Sequence, residues 1–301
     1  MPPGNLIDGR AIAEEIHQET AGRVAALKGR GIQPSLVFVR VGEDAASRVY
    51  VGMKEKASAR LGILSRTYAL PESASEKELL GLLARLNADA TVHGILVQAP
   101  LPKHIGESRV YCAVAPEKDV DGFHPVNVGK LLLGAEDGFR PCTPAGVQEM
   151  LIRSGVVVGG AEAVVLGRGN IVGKPMAAML MQKSKHGGAT VTVCHSQTRD
   201  IAGHCRRADI LIAAMGVAGF VKAGMVKPGA VVVDVGVNRV PDAEAKGGWR
   251  LVGDVDFEGV QPIAGLITPN PGGVGPMTIA MLLQNTARAA ELAASRACGK
   301  P

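Results

Sequence analysis

The sequence predicts an α/β protein built as two αβ domains. Three observations lead there. Helix-type and strand-type patterns alternate along the first hundred or so residues, and the alternation restarts after residue 160. The strand segments of the second run are continuous apolar runs, which suit strands covered on both faces. A loop-rich stretch from Pro116 to Thr143 separates the two runs.

In the first run, Asp8 can cap a helix reaching about Lys28, with Ile12, Ile16, Val24 and Leu27 near one face and Gly31 beyond its end. Ser35 to Val41 (SLVFVRV) reads as a strand between Pro34 and Gly42. A helix follows from about Ala45 to Leu61, then the strand ILSRTYAL, then the amphipathic helix SEKELLGLLARLNA. His93 to Gln98 (HGILVQ) is a short buried strand ending at APLP. This is βαβαβ order, which calls for parallel pairing and right-handed crossovers. A helix after Pro144, from about Ala145 to Ser154, links the two runs. In the second run AEAVVLG is a strand, and a helix begins near Val172. Ala189 to Cys194, ADILIAA and Gly229 to Gly236 (GAVVVDVG) are further strands, and LVGDV is a shorter one. A last helix runs from about Pro276 to Ala294, with proline at its start as helix N-termini favour.

Composition narrows the function classes. The chain has 301 residues, 47% of them hydrophobic and 20% charged, which is a globular balance. Only 3% are aromatic, so the cores must be aliphatic. The net charge of +5 favours anionic ligands. The basic residues are scattered and not interleaved with aromatics, so no nucleic-acid partner is expected. Cys112, Cys142, Cys194, Cys205 and Cys298 form no CxxC pair, and the simplest reading is buried, reduced thiols in a reducing compartment. The N-terminal MPPGNLIDGR has no apolar signal-peptide core, and no apolar run reaches membrane-spanning length. The expectation is therefore a cytoplasmic protein without a membrane partner. The seven histidines lack metal-ligand spacing, so no metal is expected.

Several segments can carry chemistry. Gly167 to Pro175 (GRGNIVGKP) follows a strand and opens a helix, where backbone N–H groups and the helix N-terminus suit a phosphate. Its GxGxxxG spacing is not the usual dinucleotide spacing, and alone it also fits a tight turn without ligand. The next strand ends at CHSQT. A Rossmann fold contacts the adenosine ribose at such a place. Arg168, Ser196 and possible help from Arg199 suit a 2′-phosphate, with no acid before Asp200; Arg199 reads equally as a solvated surface residue. In SRVYVGMK, Ser47, Tyr50 and Lys54 lie on one helical stripe. A tyrosine there can stack on a planar ligand, and a partly desolvated lysine can exchange a proton. The bland alternative is a surface helix with a snorkelling lysine. Gln98 sits at a strand C-terminus, where ligands of parallel sheets bind. Asp121, in KDVDGF, could bind an amidine-like ring edge, or else close an Asx-turn. TPNPGGVGPMT (Thr268 to Thr278) is a rigid turn before a helix.

Taken together, SRVYVGMK, HGILVQAPLP, PEKDVDGFHPVNVGK, PCTPAG, GRGNIVGKP, KPGAVVVDVGVNR, GDVDF and PNPGGVGPMT resemble, in order and spacing, the bifunctional methylenetetrahydrofolate dehydrogenase/cyclohydrolases. The resemblance runs from about Leu6 to Asn285. It implies a folate-binding catalytic domain (1–144 and 275–301), a Rossmann-type NADP-binding domain (145–274), and a cleft between them. It implies NADP as cofactor, a folate substrate and a homodimer joined through the Rossmann domains. By position, Lys54 becomes the catalytic lysine, Gln98 its hydrogen-bond partner, Tyr50 the stacking residue and Asp121 the pterin ligand. Ser47, Pro271 and Gly272 join the substrate set. Gly167, Arg168, Gly169, Ser196 and Val237 become the NADP contacts. Two residues depart from the family pattern: Gly169 stands where GRS has serine, and Asn270 where PVPGG has valine. A dinucleotide sensor without catalysis would need neither Lys54 nor Asp121.

Overall fold

The computed structural model describes residues 6–245 and 247–297. They form two compact units. The first holds residues 14–142 together with the residues from 279 on, the second the residues up to 13 together with 143–278.

In chain order the elements begin with α1 (Gly9–Gly29), β1 (Ser35–Val41), α2 (Ala45–Arg60), β2 (Leu64–Leu70), α3 (Glu76–Ala88) and β3 (Gly94–Val97). Each matches an expected segment within a few residues. Local chemistry explains the boundaries. The Asp8 carboxylate accepts from the N–H groups of Arg10 and Ala11, which satisfies two unpaired donors at the start of α1. Ser75 and Glu78 close a reciprocal capping box on α3. Behind that cap, Leu79, Leu82, Leu83 and Leu86 are buried on one face, each contributing about 1.5–3 kcal/mol. They pack on Val37, Val39 and Ile95.

The three strands form a parallel sheet in the order β2-β1-β3. Central β1 is buried almost throughout, whereas edge strand β2 is exposed along much of its length. The stretch expected to be loop contains helix. After α4 (Glu107–Ala113) comes α5 (Pro125–Leu133), capped by the His124 ring and ended by Gly134 in the left-handed conformation. Next, α6 (Cys142–Arg153) starts three residues earlier than expected, because Pro144 sits in its first turn, where a missing N–H costs nothing.

The second unit continues with β4 (Glu162–Leu166), α7 (Gly173–Met181), β5 (Thr190–Cys194), α8 (Ile201–Cys205), β6 (Ile210–Ala213) and β7 (Val231–Asp234). Then come β8 (Asn238–Pro241), β9 (Trp249–Val252), α9 (Phe257–Val260), β10 (Leu266–Ile267) and α10 (Val274–Ala297). The main sheet is parallel, in the order β10-β7-β6-β4-β5. The chain therefore reverses direction across the sheet at β4, between β5 and β6. The expected short strand at LVGDV belongs elsewhere: β9 pairs antiparallel with β8 in a separate hairpin. The fifth strand of the main sheet is β10, two residues long and too short to leave a pattern. Leu6 pairs beside it through Ile267. Val164, Leu166, Leu211, Val232 and Ile267 build the core of this unit with Cys194 and Cys205.

Cys142, Cys194 and Cys205 are buried free thiols, but Cys112, on the short α4, is exposed, against the expectation for all five; Cys298 lies outside the described residues. Among the described residues no group of side chains could hold a metal, and no helix is long and apolar enough to cross a membrane.

The capping box gives a direct test of how α3 is held. Ser75→Ala should cost about 0.5–2 kcal/mol of stability, most of it restored by Ser75→Asp or Ser75→Asn. Urea denaturation followed by circular dichroism measures it, and an unchanged midpoint would show that leucine packing alone fixes the helix start.

Candidate active site

The centre of the first unit's chemistry is Lys54. Asp44 caps α2 by accepting from the Ser47 N–H at 2.7 Å, so the Ser47–Tyr50–Lys54 stripe begins at a fixed point. Ser47 and Lys54 are both buried, and the Ser47 hydroxyl donates to the Ala99 carbonyl at 3.3 Å. Tyr50, on the same stripe, is 43% exposed, leaving a ring face open to a ligand. The Lys54 ammonium donates to Gln98 Oε1 at 3.0 Å. The Gln98 amide in turn donates to the Ala99 carbonyl at 2.7 Å, which orients it with its oxygen toward Lys54.

Asp121 reaches this cluster through the sheet. Residue Asp119 bridges in parallel to Ile95 of β3, and the Ile95 N–H donates to the Lys118 carbonyl. The segment thus runs beside β3 like an extra strand, bringing Asp121 to the strand end that carries Gln98. Asp119, not Asp121, shapes the loop. Its buried carboxylate accepts from the N–H groups of Phe123 and His124 and from the Asn127 amide. The loop's backbone is thus bonded by Asp119, and Asp121 faces Lys54 and the Cys142 thiol. Gly122 has a φ of 79° and passes directly against Arg140 and Pro141, where a side chain would collide with backbone. That contact sets PCTP beside DVDGF and places Cys142 in the cluster, with its thiol donating to the Val120 carbonyl. Asn285 of α10 closes the back, donating to the carbonyls of Val120 and Arg140.

These groups tune one another. Burial holds the Lys54 pKa below the ordinary lysine range, against the pull of Asp121 and Cys142. Burial likewise raises the Asp121 pKa, opposed by Lys54 and reinforced by Asp119. The Cys142 thiol is pushed far up by burial and by the neighbouring Asp121, so it stays protonated. A lysine with a lowered pKa beside an orienting amide and a carboxylate can take and return protons more readily than a free lysine. Sequence reading missed Asp119, Asn127 and Cys142. The repeated Asp in KDVDGF and the proline-flanked cysteine were visible, but which group turned inward was not.

The second candidate set lies at the C-terminal ends of the second unit's strands. Gly167 follows β4 with a φ of 113°, and a Cβ there would strike the Ala214 carbonyl. Arg168 and Gly169 are exposed, and among the described residues Arg168 forms no ion pair. No side chain caps the start of α7; the Lys174 N–H donates to the Gly169 carbonyl and Pro175 carries no N–H, so among the described residues the Gly173 N–H is the one left open to an anion. Ser196 and Arg199 are exposed beyond β5, on a turn closed by the Thr198 hydroxyl accepting from the His195 N–H. Asp200 is committed to its own helix, accepting from the Gly203 N–H, and does not compete for a ribose hydroxyl. These features fit a dinucleotide carrying an additional phosphate: a glycine turn a side chain would fill, an open N–H at the start of α7 and exposed arginines. At Gly169 nothing lies within 4 Å of where a Cβ would be, so serine would fit there sterically. Val237, beyond β7, is 61% exposed. Pro271 and Gly272 follow β10 and belong to this second unit. The structure thus gathers Ser47, Lys54, Gln98 and Asp121 within one unit, and the phosphate turn, Ser196 and Val237 along one sheet edge of the other.

Comparison with known proteins agrees with both halves. Residues 7–121 match the family profile of the tetrahydrofolate dehydrogenase/cyclohydrolase catalytic domain, and 141–294 match that family's NAD(P)-binding domain. The chain is 56% identical over 289 residues to the bifunctional protein FolD of Syntrophus aciditrophicus, covering 96% of this chain and 98% of that one. It is also 56% identical to the FolD of Ralstonia pickettii, covering 97% of each chain. Among solved structures it resembles the FolD methylenetetrahydrofolate dehydrogenase/cyclohydrolase of Campylobacter jejuni (TM-score 0.90, 47% identity, 95% of this chain and 98% of that one). It also resembles the Trypanosoma brucei enzyme solved with NADP cofactor and inhibitor (TM-score 0.92, 41% identity, 98% of this chain and 99% of that one). With this identity sustained over nearly the whole chain, the protein belongs to the tetrahydrofolate dehydrogenase/cyclohydrolase family.

Proposed function

We propose that this protein oxidises 5,10-methylenetetrahydrofolate to the 5,10-methenyl form with NADP and hydrolyses that product to 10-formyltetrahydrofolate. The observation that carries the reading is the buried Lys54 amine, bonded to Gln98 and facing Asp121, in a chain that also presents a glycine turn and exposed arginines at the strand ends of a second parallel sheet. The unit of residues 14–142 takes the folate and that of 143–278 the dinucleotide. Bound NADP supplies the hydride acceptor. The glycine turn, Arg168, Ser196 and Val237 hold it, with Arg168 and Ser196 on the 2′-phosphate. Tyr50 stacks on the folate's aromatic part, Asp121 binds the pterin edge, and Ser47 completes the substrate contacts.

Lys54 acts in the hydrolysis. Neutral Lys54 accepts a proton from the water that attacks the methenyl carbon. It returns that proton to the ring nitrogen as the carbon–nitrogen bond breaks, and the hydroxyl proton leaves to solvent as the formyl C=O forms. Gln98 holds the amine on line, and the lowered pKa makes the neutral form accessible. We place the enzyme in the cytoplasm as a homodimer, supplying formyl groups to one-carbon metabolism and purine synthesis. The absence among the described residues of a helix fit to cross a membrane and the reduced thiols support that setting.

Three experiments test these assignments. Lys54→Met should lower cyclohydrolase activity by about 10²–10⁴-fold while dehydrogenase activity survives in part, so that methenyltetrahydrofolate accumulates as NADPH forms; clearance at the wild-type rate would make Lys54 a bystander. Arg168→Ala should weaken NADP binding roughly 10- to 100-fold, as loss of a charge-assisted bond implies, and NAD binding far less. Equal weakening of both would remove Arg168 from the 2′-phosphate. Asp121→Asn deletes the carboxylate that pulls the Lys54 pKa upward, so Lys54 should titrate lower still. The acid limb of the cyclohydrolase pH profile, which reports loss of the neutral amine, should then move to lower pH. A limb that stays or moves up would show that the two groups do not interact.

A further inference from the structure

The ends of β6, β7 and β10 are tied together by a polar framework. The buried Asp234 carboxylate accepts from the N–H groups of Gly236, Asp254 and Val255. The buried Asp254 carboxylate accepts from the N–H groups of Met215 and Gly216, at 2.7 and 2.9 Å, and from the Asn238 amide at 2.8 Å. The Thr268 hydroxyl accepts from the Asp234 N–H. Burial pushes the Asp234 pKa up to about 6 despite its three N–H donors. Asn270 completes the set: its side-chain amide donates to the Gly236 carbonyl at 2.6 Å.

Gly236 is therefore held at both ends, its N–H by Asp234 and its carbonyl by Asn270. In a planar trans peptide the C=O of one residue and the N–H of the next point in opposite directions. Fixing the Gly236 carbonyl thus fixes the direction of the Val237 N–H, which has no acceptor among the described residues. The Val237 side chain beside it is exposed, as is Val217 beyond β6. The phosphate turn follows β4 and Ser196 follows β5, on one side of the point where the sheet reverses. The other half of a dinucleotide then lies across the ends of β6 and β7.

We propose that Asn270 is a positioning residue for the cofactor, locking the Gly236–Val237 peptide so that its free N–H and the Val237 side chain present a fixed surface to the nicotinamide half. This rests on the dinucleotide reading above. It assigns a task to one of the two places where the chain departs from its family's pattern, since valine at position 270 could not donate to that carbonyl.

The test compares two ligands on purified wild-type protein, Asn270→Val and Asn270→Asp, by isothermal titration. One ligand is NADP⁺. The other is 2′-phospho-ADP-ribose, which lacks only the nicotinamide. Both variants lose the donor, and the aspartate keeps the shape. NADP⁺ affinity should fall about 3- to 10-fold in both, as loss of a single hydrogen bond implies, while 2′-phospho-ADP-ribose binds as in wild type. A variant that weakens both ligands equally would show a merely structural role and overturn the proposal. Unchanged binding of both would overturn it too and leave the dinucleotide reading intact. If wild-type protein binds neither ligand, the dinucleotide reading fails and the proposal with it.

Discussion

Bringing the amine of Lys54 out of water is the constraint around which the first unit is arranged. A buried ammonium is costly without partners, and its pKa falls until partners or deprotonation relieve the cost. The cluster draws on four separate stretches of chain: Lys54 from α2, Gln98 from the end of β3, Asp121 from the strand-like segment beside it, and Cys142 from the start of α6. None touches Lys54 by sequence proximity. Each is held by bonds whose purpose is otherwise obscure: Gln98 by the Ala99 carbonyl, Asp121 through the Asp119 turn, Cys142 through Gly122 and Asn285.

The second unit meets a different problem with a similar device. A dinucleotide site at the ends of parallel strands needs rigid backbone amides rather than tuned side chains. The glycine turn after β4 supplies them by close packing against Ala214. Beyond β6 and β7, two buried aspartates with Asn238, Thr268 and Asn270 hold the backbone. Carboxylates that each accept two or three N–H bonds orient loops more firmly than a water-exposed chain could, because leaving any of those donors unpaired would cost its full desolvation.

Both units thus place their candidate residues at the C-terminal edge of a short parallel sheet, and in both, buried aspartates hold the nearby loops by accepting backbone N–H bonds. Asp119 frees Asp121, and Asp234 with Asp254 frees the peptide before Val237. Substitutions at these supporting positions would damage function indirectly, by releasing a loop rather than by removing a reacting group.

What the sequence determined by itself is whatever short-range physics controls. The α/β class, the alternation of helix and strand along the first unit, the start of α3 and the glycine turn after β4 were legible because period and tight turns act within a few residues. Helix α5 escaped notice because Val126, Leu132 and Leu133 are exposed apolar residues that blur its helical stripe, and because a histidine caps it. The β8–β9 hairpin and the two-residue β10 escaped because strand partners are chosen across the fold, and a run of two residues leaves no period to read. Among the candidate site residues, Lys54, Gln98 and Asp121 could be nominated by type and place along the chain. Only the tertiary structure decided that Asp119 shapes the loop while Asp121 turns to the lysine, and that Asn270 grips Gly236, because a hydrogen bond forms only where the fold brings donor and acceptor within about 3 Å in line.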